Sequence, residues 1–145
     1  MAGVTNYQSL TTNNFYINPL PCNRCVCQKE GHLMLPKLEP IIKEHANGGK
    51  GHLIIEPILS PKEMGDKCRL YAHVIIPKGC SMGVHQHKGD GECYYILSGR
   101  GLYTDDDKTY EMGPGDAAFC ESGHFHGIEN IGDEDLVIMG LIIYK

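Results

Sequence analysis

The sequence has no cluster of lysine and arginine, no apolar stretch long enough to cross a membrane, and almost no helical periodicity. Each absence narrows the reading. A nucleic-acid binder carries a basic stripe along one face, whereas 13 Lys and Arg here stand against 18 Asp and Glu, for a net charge of −5. No helix-turn-helix signal is present either, so nucleic acid is not an expected partner. The longest strongly apolar run, Leu136 to Ile143, is far below the ~20 residues of a spanning helix, and no membrane partner is expected. The N-terminus lacks the basic start and apolar core of a secretory signal, which points to the cytoplasm. Internal repeats are absent too, so 145 residues are read as one fold with a core of its own.

Cysteine is the exception to this sparseness. Seven is an odd count, and without an export signal the thiols are expected to stay reduced. Cys68, Cys93 and Cys120 fall in strand-like runs and are expected to act as small buried hydrophobes. Cys22, Cys25 and Cys27, with His32 nearby, could supply a second metal or redox site, although no second CxxC completes it. They lie in residues 1–48, read as an irregular N-terminal arm. Within it Leu33 to His45 could hold a short helix, and Gly48-Gly49-Lys50-Gly51 looks like a flexible joint.

From residue 49 to 145 short β-rich runs alternate with Gly/Pro turns: His52–Leu59, Cys68–Ile76, Glu92–Leu97, Gly101–Thr104, Lys108–Met112, Ala117–Cys120, Phe125–Asn130 and Leu136–Ile143. That spacing predicts an all-β sandwich or barrel. Two polar constellations are set into it. The first is Gly79-X5-His85-X-His87-X4-Glu92-X6-Gly99, and the second is Gly115-X7-Gly123-X2-His126-X3-Asn130. Histidines at i and i+2 project to one side of a strand. The turn-rich Lys88-Gly89-Asp90-Gly91 lets Glu92 return opposite His87. His126 would close a site of three imidazoles and one carboxylate, suited to one divalent ion of Fe, Mn, Ni, Co or Zn.

These two segments resemble the two motifs of the cupin superfamily, over about residues 50–145. The first matches at every defining position; the second carries Glu121 where the family usually has Pro. The resemblance implies a cupin double-stranded β-helix, a jelly-roll barrel of the small monocupin type. It further implies metal held inside the barrel mouth by His85, His87, Glu92 and His126, and frequent assembly as a homodimer.

Tyr94, two residues after Glu92, should face the same interior, as a base, a hydrogen-bond donor, a substrate-orienting group or plain lining. His124 shares parity with His126 and is a second candidate catalytic residue. On the run from Cys68 to Ile76 the apolar parity (Cys68, Leu70, Ala72, Val74, Ile76) should face a core or interface. The other presents Arg69, Tyr71 and His73 as candidate substrate contacts, with Arg69 the natural clamp for a carboxylate. The expected function is a small-molecule metalloenzyme of the dioxygenase, decarboxylase or lyase/isomerase class, its ligand a small carboxylate. The alternative is a non-catalytic ligand-binding or sensor protein.

Overall fold

The computed structural model describes residues 35–145. Ten strands carry the fold: β1 (Ile41–Glu44), β2 (His52–Pro57), β3 (Cys68–Ile76), β4 (Ser81–Gln86), β5 (Asp90–Ser98), β6 (Gly101–Asp105), β7 (Lys108–Met112), β8 (Ala117–Cys120), β9 (Phe125–Asn130) and β10 (Leu136–Tyr144). A 3₁₀ turn at Ala46–Gly48 and a one-turn helix α1 (Pro61–Met64) complete it. Ser60 caps α1 in a capping box with Glu63.

The strands form two antiparallel sheets, one in the order β1-β2-β3-β10-β5-β8 and one in the order β4-β9-β6-β7. Period-two alternation decides what lies between them. Along β10, Leu136, Ile138 and Ile142 are buried while their neighbours are not, and along β5 the inward row is Glu92, Tyr94 and Ile96. Leu136, Ile138, Tyr94 and Ile96 form one core with Leu53, Val74, Ile76, Tyr103, Met112 and Ile128. Each large one stabilises the fold by about 1.5–3 kcal/mol relative to exposure.

The fully buried ring of Tyr94 fits because its cross-strand rung is otherwise made of small residues: Ala72, Gly140 and Ala118. The next rung runs Leu70, Ile142, Glu92, Cys120, so the Glu92 carboxylate enters the interior flanked by an apolar side chain and a thiol. Asn130 locks one end of the sandwich. It is buried, donates to the carbonyls of Ile76 and Glu134 at 2.8 Å each, and accepts from the Gly132 amide at 2.8 Å.

Several expectations need correction. The segment read as a short helix contains strand β1, which pairs with β2 from Ile41↔Ile55 to Glu44↔His52. Its β-branched pair Ile41-Ile42 suits an edge strand better than a helix. Of the glycines read as a flexible joint, Gly49 and Gly51 are tightly packed and Gly48 is open: a Cβ on Gly49 would stand 2.1 Å from the Ser81 carbonyl oxygen, and one on Gly83, across from it, 2.2 Å from that of Asn47. Close backbone approach, rather than freedom, is what requires glycine there. Of the three strand cysteines only Cys120 is buried; Cys68 and Cys93 are half-buried. The segment with Cys22, Cys25, Cys27 and His32 lies outside the described residues. Among the described residues no helix is long and apolar enough to cross a membrane.

Candidate metal centre

β4, β5 and β9 converge at one end of the sandwich. In the pairing of β4 with β9, Met82 faces Ile128 and His85 faces His126, so Gly83 and Val84 together oppose Gly127 alone. This bulge shifts the parity of β4 by one residue. Met82 and His85, an odd number of positions apart, therefore both point inward, and Val84 is left exposed. His87 follows on the same side as His85. Its backbone is held by the second motif: its amide donates to the His124 carbonyl at 3.1 Å, and its carbonyl accepts from the Gly123 amide at 2.8 Å. The Glu121 turn closes without Pro, through a bond of 3.1 Å from the His124 amide to the Glu121 carbonyl.

His85, His87, Glu92 and His126 are brought together with one ligand atom each, all within 4.8 Å of one another. The Nε2 atoms of His87 and His126 lie 2.9 Å apart, and Glu92 Oε2 is 3.2, 3.0 and 3.8 Å from Nε2 of His87, His126 and His85. All but His85 are almost wholly buried.

Each imidazole is gripped at its other nitrogen. His85 Nδ1 donates to the Gly83 carbonyl at 3.0 Å, and His87 Nδ1 donates to an Asp90 carboxylate oxygen at 2.8 Å. His126 Nδ1 lies 3.2 Å from the Tyr103 hydroxyl. With Nδ1 of His85 and His87 committed as donors, their Nε2 lone pairs turn toward Glu92 and His126. Lone pairs facing each other at this range beside a carboxylate are stable only around positive charge. The short separations match the edge of about 3.0 Å that joins adjacent ligands on an octahedral ion with ~2.1 Å bonds. Burial alone would raise the Glu92 carboxyl, yet the facing His126, His85 and His87 rings, when they carry the proton that a metal ion would displace, outweigh it and hold the group ionised, well below the usual carboxylate range. Burial keeps His126 below the ordinary imidazole value, whereas the bond to Glu92 holds His87 above it. The set suits a divalent transition metal by donor type, spacing and outer contacts.

The cupin-domain family model matches residues 72–144, which contain all four side chains. This chain belongs to the cupin family. The cupin is 40% identical over 118 residues to the oxalate-binding protein of Thermotoga maritima, across 79% of this chain and 98% of that one. It is 34% identical to an uncharacterized protein of Methanocaldococcus jannaschii, across 71% and 78% of the two chains. The crystal structure of a predicted oxalate decarboxylase from T. maritima superposes with a TM-score of 0.71 at 40% identity, covering 73% of this cupin and 92% of that chain.

A cavity of about 240 Å³ opens beside the four side chains. His85 and Glu92 form one wall; Leu53, Ile55, Leu70, Met82 and Ile142 make it apolar, and Lys43 and Arg69 supply positive charge. Arg69 reaches the cavity because of a second bulge. Opposite β10, Leu70 faces Ile142 and Cys68 faces Ile143, so Arg69 is skipped in the pairing and freed from strict alternation. Its guanidinium pairs with Asp90 at 2.8 Å.

The other sequence candidates are not brought to this cavity. Tyr71 and His73 are half-buried on β3 and do not line it; His73 Nδ1 lies 3.9 Å from Glu56. Tyr94 shares the inward row with Glu92, but its ring stacks on His126 at 4.8 Å and its hydroxyl donates to Met82 Sδ at 3.0 Å. Burial raises that hydroxyl well above the usual phenol value. His124 stands apart at the surface, bonded through Nδ1 to Asp106 at 2.7 Å. It precedes β9, which begins at Phe125, so strand parity does not extend to it. Asp90 and Lys43 are the residues that sequence reasoning missed.

Proposed function

We propose that this cupin binds a small dicarboxylate, of the size and charge of oxalate, on a divalent metal held by His85, His87, Glu92 and His126. The observation that carries the reading is one small cavity that meets the four-donor site at His85 and Glu92 and is also lined by the two cations Arg69 and Lys43. The bound metal would supply a Lewis acid for one carboxylate. The chain supplies the rest. The Arg69 guanidinium is a planar donor that fits a second carboxylate, and Lys43 adds a point charge on the same wall. The apolar side chains around them limit ligand size. The 40% identity to an oxalate-binding protein over nearly its whole length supports the ligand class. Tyr94 supports the His126 ring by stacking and keeps its proton.

Binding without turnover is the reading the cavity favours. Oxalate decarboxylation to carbon dioxide and formate needs a proton delivered to carbon. Among the described residues that line the cavity, no carboxyl, phenol or imidazole stands outside the ligand set, and the one ammonium, Lys43, is exposed to solvent. The likeness to a predicted oxalate decarboxylase favours turnover as the second reading.

The test is calorimetry of oxalate, malonate and acetate on the manganese-loaded protein, followed by assay of the mixture. Oxalate is expected to bind, acetate far more weakly, and oxalate to be recovered unchanged. Formate and carbon dioxide in the mixture would favour the enzyme, and equal weak binding of all three would refute the dicarboxylate site.

A further inference from the structure

Of the three contacts that orient the imidazoles, two are neutral: a backbone carbonyl behind His85 and a phenol behind His126. The third is a charge. Asp90, itself only 6% exposed, accepts from His87 Nδ1 through Oδ1 and pairs with the Arg69 guanidinium through Oδ2, both at 2.8 Å. Arg69 is at the same time a wall of the cavity. A continuous chain of polar contacts thus runs from the cavity through Arg69 and Asp90 to a ligand nitrogen. Its place in the fold is well defined. Asp90 opens β5 two residues before Glu92, opposite Tyr144 on β10, and the bulge at Arg69 aims the guanidinium at it.

We propose that Asp90 is a positioning residue for the metal centre, and that Arg69, acting through Asp90, couples occupancy of the cavity to the grip of His87 on the metal. The inference rests on the metal-centre reading above. A carboxylate behind a ligating imidazole fixes its tautomer and ring plane and makes the far nitrogen a stronger donor. Asp90 can do this only while it faces His87, and Arg69 holds its other oxygen. An anion entering the cavity draws on the same guanidinium, so cavity and metal share one cation. Without Arg69, the buried Asp90 charge behind the cavity would lose its neutralising partner.

The experiment titrates cobalt(II) alone into the full-length protein freed of metal, followed by its visible absorption. The wild type is compared with Asp90→Asn, Asp90→Ala, Arg69→Gln and the double variant Arg69→Gln/Asp90→Asn. Melting curves and imidazole nitrogen spectra are recorded on each metal-free protein. The expected loss is about tenfold or more in cobalt affinity for both Asp90 variants, with Asp90→Asn, which keeps the side-chain shape, melting close to the wild type. The metal-free spectra should show His87 losing its single tautomer while His85 and His126 keep theirs. Arg69→Gln should weaken cobalt about threefold or more, and the double variant should be no weaker than Asp90→Asn within about twofold, as expected of residues acting in series.

Cobalt affinity of Asp90→Asn within about twofold of wild type would overturn the proposal. A change at all three imidazoles together with a lowered melting temperature would also overturn it, since that is a structural role. A neutral Arg69→Gln, or losses that multiply in the double variant, would remove Arg69 from the chain. Failure of the wild type itself to bind cobalt would instead refute the metal-centre reading, so the two failures are distinct.

Discussion

Gly49 and Gly83 meet backbone to backbone: a Cβ built on Gly49 would stand 2.8 Å from the Gly83 amide nitrogen, and one on Gly83 would stand 2.9 Å from that of Gly49. This contact seats the Ala46–Gly48 turn against β4, just before His85. The turn brings Ala46 and Asn47 to the cavity wall, with His45 and Asn47 in left-handed conformations at φ +47° and +54°. Because the obstacles are main-chain atoms, no rotamer change can relieve them. Gly49→Ala or Gly83→Ala is expected to destabilise the protein by about 3 kcal/mol. Gly113→Ala, where nothing lies within 4 Å, is expected to cost far less. Thermal melting of the three variants checks this.

Asn130 is a structural residue that the motif carries beside its ligand. Its side chain makes three hydrogen bonds to main-chain groups of Ile76, Gly132 and Glu134. Asn130→Ala leaves those groups short of partners and should cost about 2–3 kcal/mol. Metal stoichiometry should stay at the wild-type value at a temperature where the variant is folded. Denaturant melts and metal analysis on the same sample test both halves.

His124 and Asp106 give a pH dependence with a definite sign. The bond to Asp106 raises the His124 imidazole above its ordinary 6.5, and the same bond lowers the Asp106 carboxyl below its ordinary 3.8. A raised histidine favours the folded state fully below pH 6.5 and loses that contribution as pH rises through its raised value. A lowered carboxyl contributes fully above 3.8 and loses its share as pH falls through its lowered value. The pair is thus worth most between these limits, and as an exposed pair it is weak. Proton NMR should find His124 titrating above 6.5 and returning toward it in Asp106→Asn. His124→Ala is expected to leave metal content unchanged.

Much of the centre could be read from the chain because imidazoles and a carboxylate recur at strand spacing between turn glycines. All four motif glycines, Gly79, Gly99, Gly115 and Gly123, do adopt positive φ. What escaped was set by bulges and by pairing across the sheet. The bulge in β4 that turns both Met82 and His85 inward, and the one that releases Arg69, break the alternation on which a parity argument depends. Asp90 was hidden because Lys88-Gly89-Asp90-Gly91 has the composition of a turn; its proximity to His87 emerges only when β5 starts there. Lys43 escaped because four residues are too few to show a period, and only their pairing with β2 makes them a strand. His124 stands one residue before β9 begins, where strand parity no longer decides which way a side chain points.

The most direct test is metal analysis by mass spectrometry on untagged protein purified without chelators. The wild type and His87→Ala and His126→Ala variants are compared after saturation with manganese or cobalt and removal of excess ion. One divalent ion per wild-type chain, and essentially none in either variant with the β-sheet spectrum intact, is the predicted result. A wild-type protein that retains no ion, or variants that retain as much as the wild type, would contradict the account.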